Sequence, residues 1–196
     1  GDIFWDPSFP DFTPAQRGDY YEAILQTMAA LHSVDIETAG LADYGKPGNY
    51  FARQISRWSE QYRAAETDDI EAMNALIEML PLRCPDDDGS VALVHGDFRI
   101  DNLMFAKGKA KIAAIVDWEL STLGHPLADL GYFCMALRLP RNPALPGLAG
   151  MNRKELGIPS EEKILARYAE LTGREIPEDW PFVLAFCFFR LAAIAQ

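Results

Sequence analysis

Histidine, cysteine and clustered basic residues are scarce in this chain, and each shortage removes a class of function. Only three histidines and three cysteines occur in 196 residues. Cys84, Cys134 and Cys187 are far apart and odd in number, so they outline neither a zinc site nor a disulfide framework. Cys134 and Cys187 stand in apolar surroundings and read as inert core residues. Eighteen Lys and Arg against 29 Asp and Glu give a formal charge of -11, which excludes the dense cationic surface that nucleic acid demands. The acidic residues are spread along the chain, a pattern of solubility that is also compatible with a cationic substrate. No run approaches the ~20 consecutive apolar residues of a membrane span. The apolar stretch from Phe182 to Ala195 is interrupted by Arg190 and reads as a buried helix. The acidic, aromatic N-terminus is not the basic-then-apolar pattern of a secretory leader, and the scattered cysteines make a reducing cytoplasm the expected compartment. Repeats and low-complexity tracts are absent.

What is present is a mainly helical pattern around a few short strands. Residues 1–14 alternate aromatics with Pro7, Pro10 and Pro14; no regular helix or central strand tolerates that, so Phe4, Phe9 and Phe12 must pack on something else. Thr13 and Pro14 start a helix that Tyr20, Ala23, Ile24, Thr27, Met28 and Leu31 carry to about Ser33. Asn49 is expected to cap a second helix, with Phe51, Ile55, Trp58 and Tyr62 on one face. Asp68 or Asp69 is expected to start a third, carrying Ile70, Met73, Leu76, Ile77 and Leu80, with Pro81 and Pro85 closing it. Asp86-Asp87-Asp88-Gly89 reads as a solvated turn. Strands are expected at Val91–Val94, Leu103–Phe105 and Lys111–Val116, with Lys107-Gly108-Lys109 turning between the last two. Helices resume at Leu127, after Ser160 and after Asp179, and Gly173 ends the second of these.

The chemistry concentrates where those strands end. Val94-His95-Gly96-Asp97-Phe98-Arg99-Ile100-Asp101-Asn102 places an Asn five residues after an Asp, and Asp117-Trp118-Glu119 follows fifteen residues later. This is the spacing of a kinase catalytic loop and its metal-binding carboxylate. Transfer from ATP needs one carboxylate to orient the attacking hydroxyl and take its proton, and an amide oxygen and a second carboxylate to hold Mg2+ against the phosphates. Asp97 fits the first role, Asn102 and Asp117 the other two. Asp117 ends an apolar strand, where a charge must be capped, paired or metal-bound. Arg99 is either a solvated cation or a partner for the transferred phosphate. Met104 and Val116 are core candidates that could also floor an adenine pocket. Asp101 either stays at the surface or pairs with Arg99. His95 reads as a structural brace of the loop, and His32 and His125 as structural or surface residues.

Together these motifs resemble the aminoglycoside phosphotransferase and choline kinase-like family: His95-Gly96-Asp97 with Asn102, then Val116-Asp117-Trp118-Glu119, then Pro126-Leu127-Ala128-Asp129-Leu130-Gly131. The longer match from Val94 to Phe105, with Asp117-Trp118-Glu119-Leu120-Ser121-Thr122-Leu123-Gly124-His125-Pro126, is similar to the phosphotransferase domains that accompany acyl-CoA dehydrogenases. The resemblance covers essentially the whole chain. It implies an α+β, mainly helical fold, the C-terminal lobe of a protein kinase-like architecture in which short strands carry the catalytic loop. It implies Asp97 as base, Asn102 and Asp117 as Mg2+ ligands, and Asp129 as a buried brace. It also implies an ATP-dependent small-molecule kinase whose acceptor is a hydroxylated acyl thioester, an aminoglycoside or another small hydroxyl metabolite.

Family members also carry an N-terminal lobe with a phosphate-covering loop and a strand Lys that grips ATP, and neither is found here. The expected division is therefore a post-hinge segment over 1–14 and the large lobe over 15–196, with the ATP-gripping lobe of the same protein as missing partner. Alone, this segment is expected to bind nucleotide weakly and transfer phosphate poorly. Two other classes compete. A metal-dependent phosphoesterase or hydrolase would use His95, Asp97, Asp101, Asp117 and His125, but such centres want more His ligands than this chain has. A silent binding module of the same fold would have no need of Asp97, Asn102 and Asp117 together. A protein kinase is disfavoured because Trp118-Glu119 stands where Phe-Gly follows the metal Asp and no Ala-Pro-Glu segment follows.

Overall fold

Thr13 begins the first helix with a reciprocal cap. Its hydroxyl accepts the Gln16 N–H while the Gln16 side chain accepts the Thr13 N–H, with Pro14 at the first helical position. In the computed structural model, which describes residues 1–196, this helix is α1 (Pro14–His32). The chain continues through α2 (Tyr50–Ala65), α3 (Glu71–Arg83), β1 (Ala92–Val94), a single 3-10 turn (Ile100–Asn102), β2 (Leu103–Phe105), β3 (Ile112–Ile115) and β4 (Thr122–Gly124). Helices α4 (Leu127–Met135), α5 (Arg153–Leu156), α6 (Glu161–Thr172) and α7 (Trp180–Ala195) complete it. The architecture is thus mainly helical, with two small antiparallel hairpins, β1–β4 and β2–β3.

Those hairpins position the site. β1 pairs with β4 from Ala92↔Gly124 to Val94↔Thr122, and β2 with β3 from Leu103↔Ile115 to Phe105↔Ile112. Antiparallel pairing brings the start of β2 beside the end of β3, and the Val116 N–H extends it by donating to the Asn102 carbonyl at 2.9 Å. α7, almost wholly apolar, packs against α4, α2 and α3, and one continuous core runs from the N-terminal aromatics to this helix.

The first fourteen residues find their packing partners. Phe4, Phe9 and Phe12 form edge-on and tilted contacts with Tyr20 of α1 and Phe105 of β2, with centroids 4.6–6.2 Å apart. Their irregular backbone is satisfied by the buried Arg17, whose guanidinium donates to the carbonyls of Ser8, Phe9, Pro10 and Leu156.

Several local expectations are corrected. Asn49 precedes α2 but sits in the left-handed region at φ 48° and caps nothing with its side chain; its own N–H donates to Asp87. α3 begins after Ile70, not at Asp68 or Asp69, and Asp69 accepts instead from the Asn74 side chain. Pro81 lies inside the last turn of α3, where only a short stretch of helix follows it. Asp179 precedes α7 without a side-chain cap. β4 and α5 were not expected, whereas Ser160 and Gly173 bound α6 as read.

Candidate active site

The loop after β1 turns at Gly96, whose φ of 83° and close approach to the Leu120 carbonyl leave no room for a side chain. A Cβ there would lie 2.4 Å from that oxygen. The turn is held from below by Asp129 at the start of α4. One Asp129 oxygen accepts the His95 N–H at 2.6 Å and the other the Gly96 N–H at 2.8 Å. Asp129 is fully buried, and burial raises its carboxyl pKa; the His32 side chain and these two amides outweigh that and hold it below the ordinary carboxylate value. His32, at the end of α1, places Nε2 3.2 Å from Asp129 and Nδ1 2.8 Å from the Tyr168 hydroxyl of α6. Three helices therefore converge under one turn. Asp129 takes the bracing position the resemblance implies, and His32, read from sequence only as structural or surface, completes the brace.

His95 is buried and joins the loop to the segment after β3. Its Nδ1 accepts the Asp97 N–H at 3.3 Å, which assigns the proton to Nε2, and Nε2 donates to the Val116 carbonyl at 2.9 Å. Asn102 then fixes Asp97 directly. Its Nδ2 donates to the Asp97 carbonyl at 2.9 Å and to Asp97 Oδ2 at 3.0 Å. Asn102 Oδ1 accepts no hydrogen bond within the chain, and the Tyr132 phenol stands beside the Asp97 carboxylate.

Asp117 follows Val116 in the left-handed region at φ 64°, a conformation few non-glycine residues adopt. The β3 strand is half-exposed rather than buried, so the charge does not leave a buried strand as expected. Asp117 is instead exposed, and its carboxylate makes no hydrogen bond or ion pair within the chain. Trp118 covers His95 edge-on at 5.0 Å and donates its indole N–H to the Ile115 carbonyl. Asn102 and Asp117 thus offer a hard amide oxygen and a free carboxylate from adjoining strand ends, a donor set that suits Mg2+. No three His, Cys, Asp or Glu side chains come together in a geometry that could hold a metal ion by themselves.

Arg99 is not a free surface cation. It forms a bidentate pair with Asp101, at 3.0 Å from Nε to Oδ1 and 2.6 Å from Nη2 to Oδ2. Burial lowers its pKa, but Asp101 and Asp97 together outweigh that, so the net shift is upward. Met104 and Val116 are half-buried, Met104 beneath the N-terminal Gly1 and Val116 beside His95. A small cleft beginning on the loop at Arg99 and Asp101 is lined mostly by apolar groups, including Trp5, Tyr21, Ile100, Tyr132 and Leu191. Tyr132 carries a phenol raised by burial first and by the Asp97 carboxylate second. Cys134 and Cys187 are buried with raised thiol pKa values, as inert core cysteines should be.

Comparison with known proteins fits this geometry. A family model described as a phosphotransferase enzyme family matches residues 1–171. The chain is 46% identical over 197 residues to acyl-CoA dehydrogenase family member 10 of Mus musculus, and 41% identical over 197 residues to family member 11 of Homo sapiens. All of this chain is covered in both, but it spans only 18% and 25% of those proteins' lengths. A crystal structure of a Ralstonia eutropha protein named for the aminoglycoside phosphotransferases superposes with a TM-score of 0.95 at 47% identity, covering 99% of this chain and 59% of that one. An aminoglycoside phosphotransferase of Streptomyces rimosus, solved with ADP and streptomycin, shares the fold alone, with a TM-score of 0.62 at 14% identity over 96% of this chain and 68% of that one. With the loop, its buried brace and the metal-type donor pair in this arrangement, the chain belongs to the phosphotransferase enzyme family, with the kinase-like fold of the aminoglycoside phosphotransferases.

Proposed function

We propose that this chain is the large lobe of an ATP- and Mg2+-dependent kinase that transfers the γ-phosphate to a hydroxyl of a small metabolite. The observation that carries the reading is the Asp97–Asn102 lock. Asn102 occupies Asp97 Oδ2 and leaves Oδ1 free to orient an acceptor hydroxyl and take its proton. Asn102 Oδ1 and the Asp117 carboxylate would hold the metal, which when bound supplies charge neutralisation at the phosphates. The Asp129 brace fixes the loop before substrate arrives, so little reorganisation is left for the transfer step.

Nucleotide contacts through Met104 and Val116, and a guiding role for Arg99 at the transferred phosphate, belong to the same proposal. The Arg99–Asp101 pair would have to loosen or share its cation for that role. The apolar lining of the small cleft that begins at Arg99 and Asp101 is compatible with an acceptor that has an apolar body, such as a hydroxylated acyl thioester, and a polycationic aminoglycoside stays the alternative. The ATP-gripping lobe is proposed to come from another part of the same protein, in line with the longer relatives. A hydrolase reading would need the assembled multi-ligand metal cluster that the side chains do not form.

The test is thermal unfolding of the full-length protein with ATP, with and without Mg2+. Stabilisation that needs the metal and disappears in Asp117→Ala supports the nucleotide site. No stabilisation of the intact protein would sink the kinase reading.

A further inference from the structure

Asp129 and Tyr132 are three residues apart on α4, so they leave the helix on one face. Asp129 reaches the loop after β1, where it accepts the His95 and Gly96 N–H groups at 2.6 Å and 2.8 Å. Asp97 is the next residue of that loop. Tyr132, one turn along the same face of α4, therefore meets the loop at the candidate base. Its phenol responds to that neighbour. Burial raises the Tyr132 pKa most, and the Asp97 carboxylate raises it further, by its charge and as a hydrogen-bond acceptor. Both effects favour the protonated phenol, so Tyr132 is a donor.

The rest of the side chain is held in place. The ring is buried, and the Arg190 guanidinium of α7 lies over it, 5.3 Å from its centroid. The hydroxyl is the exception. Unlike that of Tyr62, it is not an enclosed atom without a partner, and Tyr132 lines the small cleft that begins at Arg99 and Asp101. Packing alone gives no reason for a polar atom here, since phenylalanine would fill almost the same space. Asp97 supplies the reason. Asn102 holds its carboxylate by one bond, from Nδ2 to Oδ2 at 3.0 Å, and a carboxylate with one donor can still swing about it. Each carboxylate oxygen has two lone pairs, so a second donor leaves room for an attacking hydroxyl.

We propose that Tyr132 is a positioning residue for Asp97: its hydroxyl donates to the carboxylate from the α4 side while Asn102 donates from the loop side, and the two donors fix the plane in which Asp97 meets an attacking hydroxyl. The inference rests on the phosphotransfer reading for what Asp97 does, but the contact itself is testable without nucleotide. It also gives α4 a second task. The helix that braces the loop backbone through Asp129 orients the base through Tyr132.

The experiment is a double-mutant cycle of Tyr132→Phe and Asp97→Ala in the full-length protein, with a kinetic measurement beside it. In urea, Tyr132→Phe should raise the unfolding constant of wild type about tenfold, the scale of one hydrogen bond to a charged group, and that of Asp97→Ala by less than twofold. Tyr21→Phe is the control. It deletes another phenol of the same cleft, one that donates to the Pro7 carbonyl, so its effect should add to that of Asp97→Ala. In acceptor-free hydrolysis of Mg2+-ATP, where water is the attacking group, Tyr132→Phe should lower kcat about tenfold and leave KM for ATP within twofold. A purely structural tyrosine would show additive losses in urea, and that result would overturn the contact. An unchanged kcat, or a loss carried by KM, would overturn the positioning role. A wild type with neither Mg2+-ATP stabilisation nor hydrolysis would sink the phosphotransfer reading and the positioning role with it, while the urea cycle would still decide whether Tyr132 is tied to Asp97.

Discussion

At the residue scale the site is defined by what each polar atom is already committed to. Asp97 Oδ2 is taken by Asn102 and its backbone N–H by His95, so only Oδ1 is left for chemistry. Asp97→Asn keeps the volume but removes the proton acceptor. Turnover by the full-length protein should fall by about 10²–10⁴ while the thermal midpoint and Mg2+-ATP stabilisation persist, the scale expected of a positioned base. Unchanged turnover would remove Asp97 from the mechanism. Gly96 is constrained differently, by backbone. Gly96→Ala places a Cβ against the Leu120 carbonyl at 2.4 Å on a positive-φ residue, and should destabilise by about 1–3 kcal/mol in urea denaturation. That Asp97 and Asn102 lie within hydrogen-bond reach of one another was legible in the sequence, because the spacing of the loop motif implies it. The part His32 plays was not, because its partner lies 97 residues away and nothing beside it in the chain announces a buried acid.

At the scale of elements, the brace under the loop is a junction of α1, α4 and α6 with the turn after β1. Asp129 is held below the ordinary carboxylate pKa because the charged form gains His32 and two amides that more than offset its burial. The sign follows from linkage. A depressed folded pKa gives stability that is full above the unfolded value near ~4 and is lost as pH falls through the folded pKa. Asp129→Asn cannot titrate, so its stability should be lower at pH 7 and decline less steeply under acid than wild type. Parallel urea titrations from neutral to acid pH would show this, and parallel slopes would count against the assignment. Asp129→Ala orphans two buried amide donors as well and should cost about 3–5 kcal/mol. Elements announced by their own residues were legible: Thr13-Pro14 for α1, Ser160 and Gly173 for α6. Those made by distant partners were not. β4 is a three-residue strand that exists only because β1 lies beside it, and Asn49 spends its backbone N–H on Asp87 instead of capping with its side chain.

At the scale of the whole molecule, the loop depends on how closely α4 and α7 approach, because α4 carries both the Asp129 brace and Tyr132. Gly131 sets that distance. A Cβ there would meet Val183 Cγ1 at 2.7 Å and Cys187 Sγ at 2.9 Å, so Gly131→Ala must push two packed helices apart. Two effects oppose each other. Alanine in a helix interior gains about 1 kcal/mol over glycine, while overpacking a filled core costs about 1–3 kcal/mol. Val183 is β-branched and stiff, so the clash should win and the variant should be net destabilised, with weaker turnover because Tyr132 and the Asp129 brace move with α4. Gly18 is the matched control. It is also helical, in α1, but the nearest atom to its would-be Cβ is the Gly157 carbonyl oxygen at 3.9 Å. Gly18→Ala should therefore gain most of the propensity term and raise the urea midpoint, with turnover unchanged. Opposite signs for the same substitution in two helices would locate the constraint in the α4–α7 contact. If Gly131→Ala were instead as stabilising as Gly18→Ala, that contact would have slack, and the position of the Asp129 brace could not be assigned to it.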